Sequence, residues 1–136
     1  MVDSANLQLG FLEKAVLEWL WSRDWSDVRQ AHASLGQPHA RSLNTLHSTL
    51  DRLVRKGLAE RERRGRAYVY RARVSRETFV RNALRRTLAD IPGADASLLI
   101  ASFVDVAERV DETGLAELEK LVRMRLRERT RGEGES

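Results

Sequence analysis

The sequence predicts a mainly α-helical protein with one small β-hairpin, and three observations support this. Apolar residues recur at helical spacing through six separate segments of the 136-residue chain. Two β-forming tyrosines and a valine follow a glycine between residues 58 and 71, which places a hairpin there. A helix with an unusual polar face stands directly before that hairpin, preceded by a short helix and a turn.

The first helix is expected over Leu9–Ser22. Leu9, Leu12, Val16, Trp19 and Leu20 fall at offsets of 0, 3, 7, 10 and 11, one face of a helix. Trp19 and Trp21 read as packing residues. Ser26 is expected to cap a short second helix with Asp27 in its first turn. Val28, Ala31 and Leu35 form its buried stripe, with His32 beside it, and Gly36 and Pro38 end it. Residues 36–41 then turn the chain into a third helix.

That helix, Ser42 to Gly57, is the stretch the rest serves. Leu43, Leu46, Leu50, Leu53 and Val54 make its apolar face. Ser42 suits the N-cap, and Gly57 suits the left-handed position past the C-cap. Arg55 and Lys56 lie in the last turn, where cations suit the negative end of the helix dipole. The opposite face shows Asn44, Thr45, His47 and Ser48, then Arg52 and Arg55. Solvent faces usually carry long charged side chains and strong helix formers. Short hydrogen-bonding side chains of poor helix propensity suit a surface that approaches base edges. For this helix alone a solvated polar face is an equal reading, and the next segment shifts the balance.

Leu58–Arg63 and Arg66–Arg71 flank Arg64-Gly65, and Gly65 can supply the positive φ of a hairpin turn. The tip is Arg63, Arg64, Gly65 and Arg66. A basic hairpin after a polar-faced helix is the wing of a winged helix-turn-helix domain. Tyr68 and Tyr70 point the same way, and are expected to pack on the helices with a phenol reaching a polar partner. Charge agrees: residues 41–73 carry ten basic and three acidic side chains, whereas the whole chain is only +4. Such a basic middle indicates a localised polyanion-binding surface. The expected partner is double-stranded DNA. Asn44, Thr45, His47 and Ser48 are the candidate base readers. Arg41, Arg52, Arg64 and Arg66 are the candidate phosphate contacts, and Ser42 combines capping with a phosphate contact. For Arg52 the alternative is an ion pair near Asp51 or with Glu60, and Asp51 itself reads as structural.

Ser75 caps a further helix to about Asp90, with Phe79, Val80, Ala83, Leu84, Thr87, Leu88 and Ile91 on its stripe. Pro92-Gly93 breaks it. Ala96–Val110 and a last helix bearing Leu115, Leu118, Leu121, Val122 and Leu126 follow. The charged tail from Arg127 is expected to be disordered. These three helices, about 55 residues, are too apolar and too few for a comfortable core of their own. Pairing with a second chain answers this; folding back on the winged helix is the alternative. The candidate dimer residues are Phe79, Leu84, Leu98, Leu99, Phe103, Val104, Leu118, Leu121 and Val122. The expected organisation is a winged-helix DNA-binding domain over 1–73, a C-terminal helical dimerisation domain over 74–127, and a tail over 128–136.

Other classes are disfavoured. There is no run of about 18 apolar residues to span a membrane. The N-terminus lacks the layout of a signal peptide, so a cytoplasmic, nucleoid-associated protein is expected. The chain has no Cys, which removes disulfides and thiolate metal sites, and its three histidines stand apart. No Gly-rich phosphate loop and no His-Glu-x-x-His is present, so no enzyme, cofactor or metal is expected. The rivals that remain are a protein-interaction adaptor and a nonspecific architectural DNA binder.

From Leu9 to Leu126 the chain resembles the BlaI/MecI penicillinase-repressor family. The resemblance rests on Leu12–Trp21, Val28–His32 and, most specifically, Ser42–Leu58. It continues through Gly65–Tyr70 and Val74-Ser75-Arg76-Glu77. It implies a dimeric winged-helix repressor on palindromic operators, often upstream of β-lactamase or other cell-envelope genes. It also implies a membrane sensor-protease as the inducing partner, cutting an Asn-Phe bond in the dimerisation domain. The counterpart here is Ser102-Phe103, where Ser replaces Asn. The family's copper-responsive branch carries a C-terminal cysteine pair, which this chain lacks.

Overall fold

The computed structural model describes residues 9–36, 41–93 and 95–134. Helix α1 (Phe11–Trp21) leads through a short strand β1 (Ser26–Asp27) into α2 (Val28–Leu35) and α3 (Leu43–Arg55). The hairpin β2 (Ala59–Arg64) and β3 (Ala67–Ala72) follows, then α4 (Arg76–Ala89), α5 (Ala96–Val110) and α6 (Gly114–Gly134). Two compact units result, one ending at Asp90 and the other beginning at Ile91.

The core of the first unit is small and mostly apolar. Val16, Leu17 and Leu20 come from α1, Ala31 from α2, and Leu46, Leu50 and Leu53 from α3, closed by Leu58, Ala59 and Tyr70. The two tryptophans of α1 pack against it as expected. Trp21 also donates from Nε1 to the Val74 carbonyl at 2.9 Å and meets the Phe79 ring at 5.6 Å, which holds the start of α4 on α1.

Two local expectations change. Ser26 is not the cap of α2 but a strand residue, paired antiparallel with Tyr70 while Asp27 pairs with Val69. The sheet therefore has three strands in the order β1-β3-β2. Asp27 takes the cap because Gln30 stands three residues on. The Asp27 carboxylate accepts from Gln30 N at 2.9 Å, and Asp27 N donates to Gln30 Oε1 at 2.8 Å. A cap at Ser26 would have Arg29 in the reciprocal place, which has no acceptor. On α3 the buried set is Leu46, Thr49, Leu50 and Leu53, while Leu43 is exposed. Thr49 is tolerated inside because its hydroxyl donates to the Thr45 carbonyl at 2.7 Å.

The ends of α3 are fixed as the sequence leads one to expect. Ser42 Oγ accepts from Thr45 N at 3.2 Å. At the other end Gly57 N bonds Val54 O and Leu58 N bonds Leu53 O, each at 3.0 Å, with Gly57 at φ 77°. This is a Schellman closure, and it delivers Leu58 into the core. The hairpin turns on Gly65 at φ 65° between the paired residues Arg64 and Ala67, the positive φ that two-residue hairpin loops need.

In the second unit α5 is capped by Asp95, whose carboxylate accepts from Leu98 N at 2.8 Å, and α5 packs along α6. No residue of either helix is buried. Helix α6 continues past Leu126 to Gly134, beyond where the apolar pattern ends. The residues 125–129 are strong helix formers, and Thr130 bonds back to the Leu126 carbonyl at 3.0 Å.

Candidate nucleic-acid interface

With Leu46, Thr49, Leu50 and Leu53 turned inward, the 3.6-residue period turns Asn44, Ser48, Asp51 and Arg55 outward in one stripe. Asn44, Ser48 and Arg55 are exposed, and His47 borders them with its side chain 49% exposed. Ser42 and Arg41 lie exposed at the entry to the helix. Thr45 is half-buried and its hydroxyl lies 3.0 Å from Ser42 Oγ, so this side chain belongs to the cap as much as to the outer face. Arg55 joins the stripe by position. The sequence already sets it on this face, seven residues from Ser48 and eleven from Asn44, but it is not among the expected DNA contacts.

A carboxylate in the middle of such a stripe needs partners, and three groups stand against Asp51. It accepts from Arg61 Nη1 at 3.1 Å and from the Tyr70 hydroxyl at 2.9 Å, and His47 Nε2 lies 3.7 Å away. Arg61 itself stacks over the Tyr68 ring at 4.6 Å. Asp51 thus ties the outward face of α3 to the root of the wing, the structural role its charge suggested. Tyr70 is the buried tyrosine with the polar partner; Tyr68 stays partly exposed.

Burial, and then the Asp51 carboxylate, push the Tyr70 phenol up to about 12 from an ordinary 10.0. A raised folded-state value means that the contribution is complete below pH ~10 and is lost as pH rises towards ~12. In a Tyr68→Phe protein, phenolate absorbance should therefore titrate near 12; a midpoint at the ordinary tyrosine value would contradict the buried contact. Asp51→Ala should leave the Tyr70 hydroxyl buried without an acceptor and cost about 1–3 kcal/mol in urea denaturation. The same change removes a negative charge from the outer face, so affinity for any duplex should rise as stability falls. Parallel losses of both would contradict the assignment.

Arg52 resolves differently from both expected pairs. Its Nε lies 3.8 Å from Glu13 Oε1 and its Nη2 donates to Thr49 Oγ1 at 3.2 Å, while Lys56 makes a close ion pair with the same Glu13. Glu60 is taken by Arg71 in another close pair. Arg52 therefore clamps α3 to α1, with its side chain still 44% exposed.

At the wing, Arg64 lies over the Trp25 ring at 5.2 Å and 3.7 Å from Glu62 Oε2. Arg71 covers the same ring at 4.4 Å. Trp25 thus serves as an aromatic shelf for the wing arginines. Sequence reading missed it; the available signal was an aromatic just before β1 with an arginine-rich strand to come. Arg63 bonds the Gly65 carbonyl at 3.3 Å, and Arg66 is exposed with no ion pair among the described residues.

The residues expected at a dimer interface divide. Phe79 packs inward on Trp21 and Leu84 is exposed. On α5 and α6, Leu98, Phe103, Val104, Leu121 and Val122 are exposed, and Leu99 and Leu118 half-buried. Ser102 and Phe103 lie in the middle of α5, with Ser102 Oγ donating to the Leu98 carbonyl at 2.8 Å. Among the described residues no three side chains cluster as metal ligands, and no helix is long and apolar enough to cross a membrane.

A capped helix seated on α1 and α2, with a polar outer stripe and an arginine-rich hairpin at its end, defines a winged-helix DNA-binding protein. The comparisons with known proteins give the family. A model of the penicillinase repressor family matches residues 9–124, and this chain belongs to that family. It is similar to the transcriptional regulator BlaI of Mycobacterium tuberculosis strain H37Rv, with 35% identity over 120 residues, covering 82% of this chain and 86% of the relative. BlaI of strain CDC 1551 matches equally. A solution structure of the DNA binding domain of the repressor BlaI is similar at 23% identity, covering 51% of this chain and 84% of that one, with a TM-score of 0.47. The chain is accordingly a DNA-binding transcription regulator of the repressor type, not an enzyme.

Proposed function

We propose that this protein represses transcription as a homodimer that reads palindromic promoter operators with α3. The outward stripe of Asn44, Ser48 and Arg55 beside the wing is the observation that carries this reading. Asn44 can pair bidentately with adenine, Ser48 can pair with either base type, and His47 can donate to guanine or phosphate. Leu43, exposed on the first turn, offers an apolar contact to a thymine methyl. Arg41, Ser42, Arg64 and Arg66 would hold phosphates and set the register.

Dimerisation is assigned to the helices after residue 73, above all to the exposed apolar faces of α5 and α6. Leu98, Phe103, Val104, Leu121 and Val122 are all exposed there, and exposed apolar side chains grouped on one pair of helices suit a protein partner. A twofold protein matches a palindromic site. β-Lactamase or other cell-envelope genes are the proposed targets, with the protein working in the cytoplasm on the nucleoid. A membrane sensor-protease is the proposed inducing partner. Ser102-Phe103 is the candidate bond, and α5 would have to unwind locally to present it to a protease.

Recovery of genomic fragments by the purified full chain, at near-physiological salt, tests this. A few enriched promoters sharing a palindrome are expected. Uniform recovery would replace the reading with an architectural role, and no recovery at low salt would replace it with an adaptor role.

A further inference from the structure

A second site lies on the other side of α3's end, away from the outer stripe. Leu58, Val74, Phe79 and Ala83 wall a cavity of about 140 Å³ where the Schellman closure of α3 meets α4. Asn82 and Arg86 line it too, one helical turn apart on α4. Arg86 Nη1 is shut off from solvent and has no hydrogen-bond partner among the described residues. The other cation at the cavity, Lys56, is already engaged with Glu13.

A guanidinium carries five donors and no acceptor, and it stays charged at any pH that matters here. Arg86 lines the cavity and makes no ion pair among the described residues, so its guanidinium has donors to offer an acceptor there, best an anionic one. Water could supply an acceptor, but it would leave the apolar walls Leu58, Val74, Phe79 and Ala83 unmatched. Inorganic phosphate would leave those walls facing a strongly hydrated ion. A carboxylate on a compact apolar body satisfies both halves, and the volume is close to the ~150 Å³ of apolar cavities that take up benzene.

We infer that this cavity is a binding site for a small monocarboxylate, its carboxylate held by Arg86 and Asn82 and its body set against Leu58, Val74, Phe79 and Ala83. This goes beyond DNA binding and does not depend on it, since occupancy can be read with no DNA present.

Benzoate is the probe, with benzamide as its uncharged counterpart, titrated into the ¹⁵N-labelled full chain and followed by NMR. Saturable shifts at Gly57, Leu58, Phe79 and Ala83 are expected with benzoate, at least tenfold tighter than with benzamide. Arg86→Gln should weaken benzoate at least tenfold. Ala83→Leu, which narrows the cavity and keeps the charge, should also abolish the shifts, so that the test survives if either variant folds poorly. Equal binding of both probes would overturn the assignment of an anion site. So would benzoate shifts that map elsewhere or persist in both variants, and so would the absence of any binding.

Discussion

Leu50→Ala should lower the free energy of unfolding by about 2–5 kcal/mol, the range for truncating a buried leucine. Leu50 is fully buried and sits at the middle of the inward face of α3, among Leu46, Leu53 and the α1 residues Val16 and Leu20. A domain this small has only about 5–15 kcal/mol in total. The loss should therefore appear in urea denaturation as a lower midpoint with an unchanged slope. The function would suffer too, because Leu50 sets the rotation of α3 that turns Asn44 and Ser48 outward. A change below about 1 kcal/mol would mean that α3 is not seated as described.

Asn44→Ala and Arg66→Ala should fail in different ways. Asn44 is exposed near the start of α3 with no structural bond of its own among the described residues. Losing it should reduce the preference for the selected operator over random duplex by about 1–3 kcal/mol, with affinity for random duplex little changed. Arg66 stands at the wing tip as an exposed cation. Losing it should weaken operator and random duplex about equally and make the salt slope shallower by about 0.9. Fluorescence anisotropy on both duplexes at several salt concentrations separates the two. If both variants shift specificity alike, base reading and phosphate holding have been assigned to the wrong residues.

The elements that were legible in the sequence are those with strong local signals. The ends of α3 follow from Ser42 and Gly57, whose side chain and backbone freedom act within one turn. The wing follows from Gly65 and its flanking strands. What the sequence hid depends on partners far along the chain. Strand β1 exists because Ser26 and Asp27 meet Tyr70 and Val69, more than forty residues away, and two residues have no periodicity to detect. Leu43 fits a core residue by spacing, yet at the first turn of α3 it is exposed, and Thr49 fills the inward place by satisfying its own hydroxyl. The pairing of Arg52 with Glu13 likewise crosses from α3 to α1. Trp25 could be placed under the wing only once the strands were in register.

The central claim is that α3 enters the major groove of a twofold site. Methylation interference on the best recovered promoter fragment tests it most directly, since methyl groups on guanine N7 project into the major groove. The predicted result is two symmetric clusters of interfering guanines, separated by one helical turn of about 10 base pairs or a multiple of it, and both altered alike by Asn44→Ala. Interference confined to the minor groove, or a single cluster with no symmetric mate, would contradict the account.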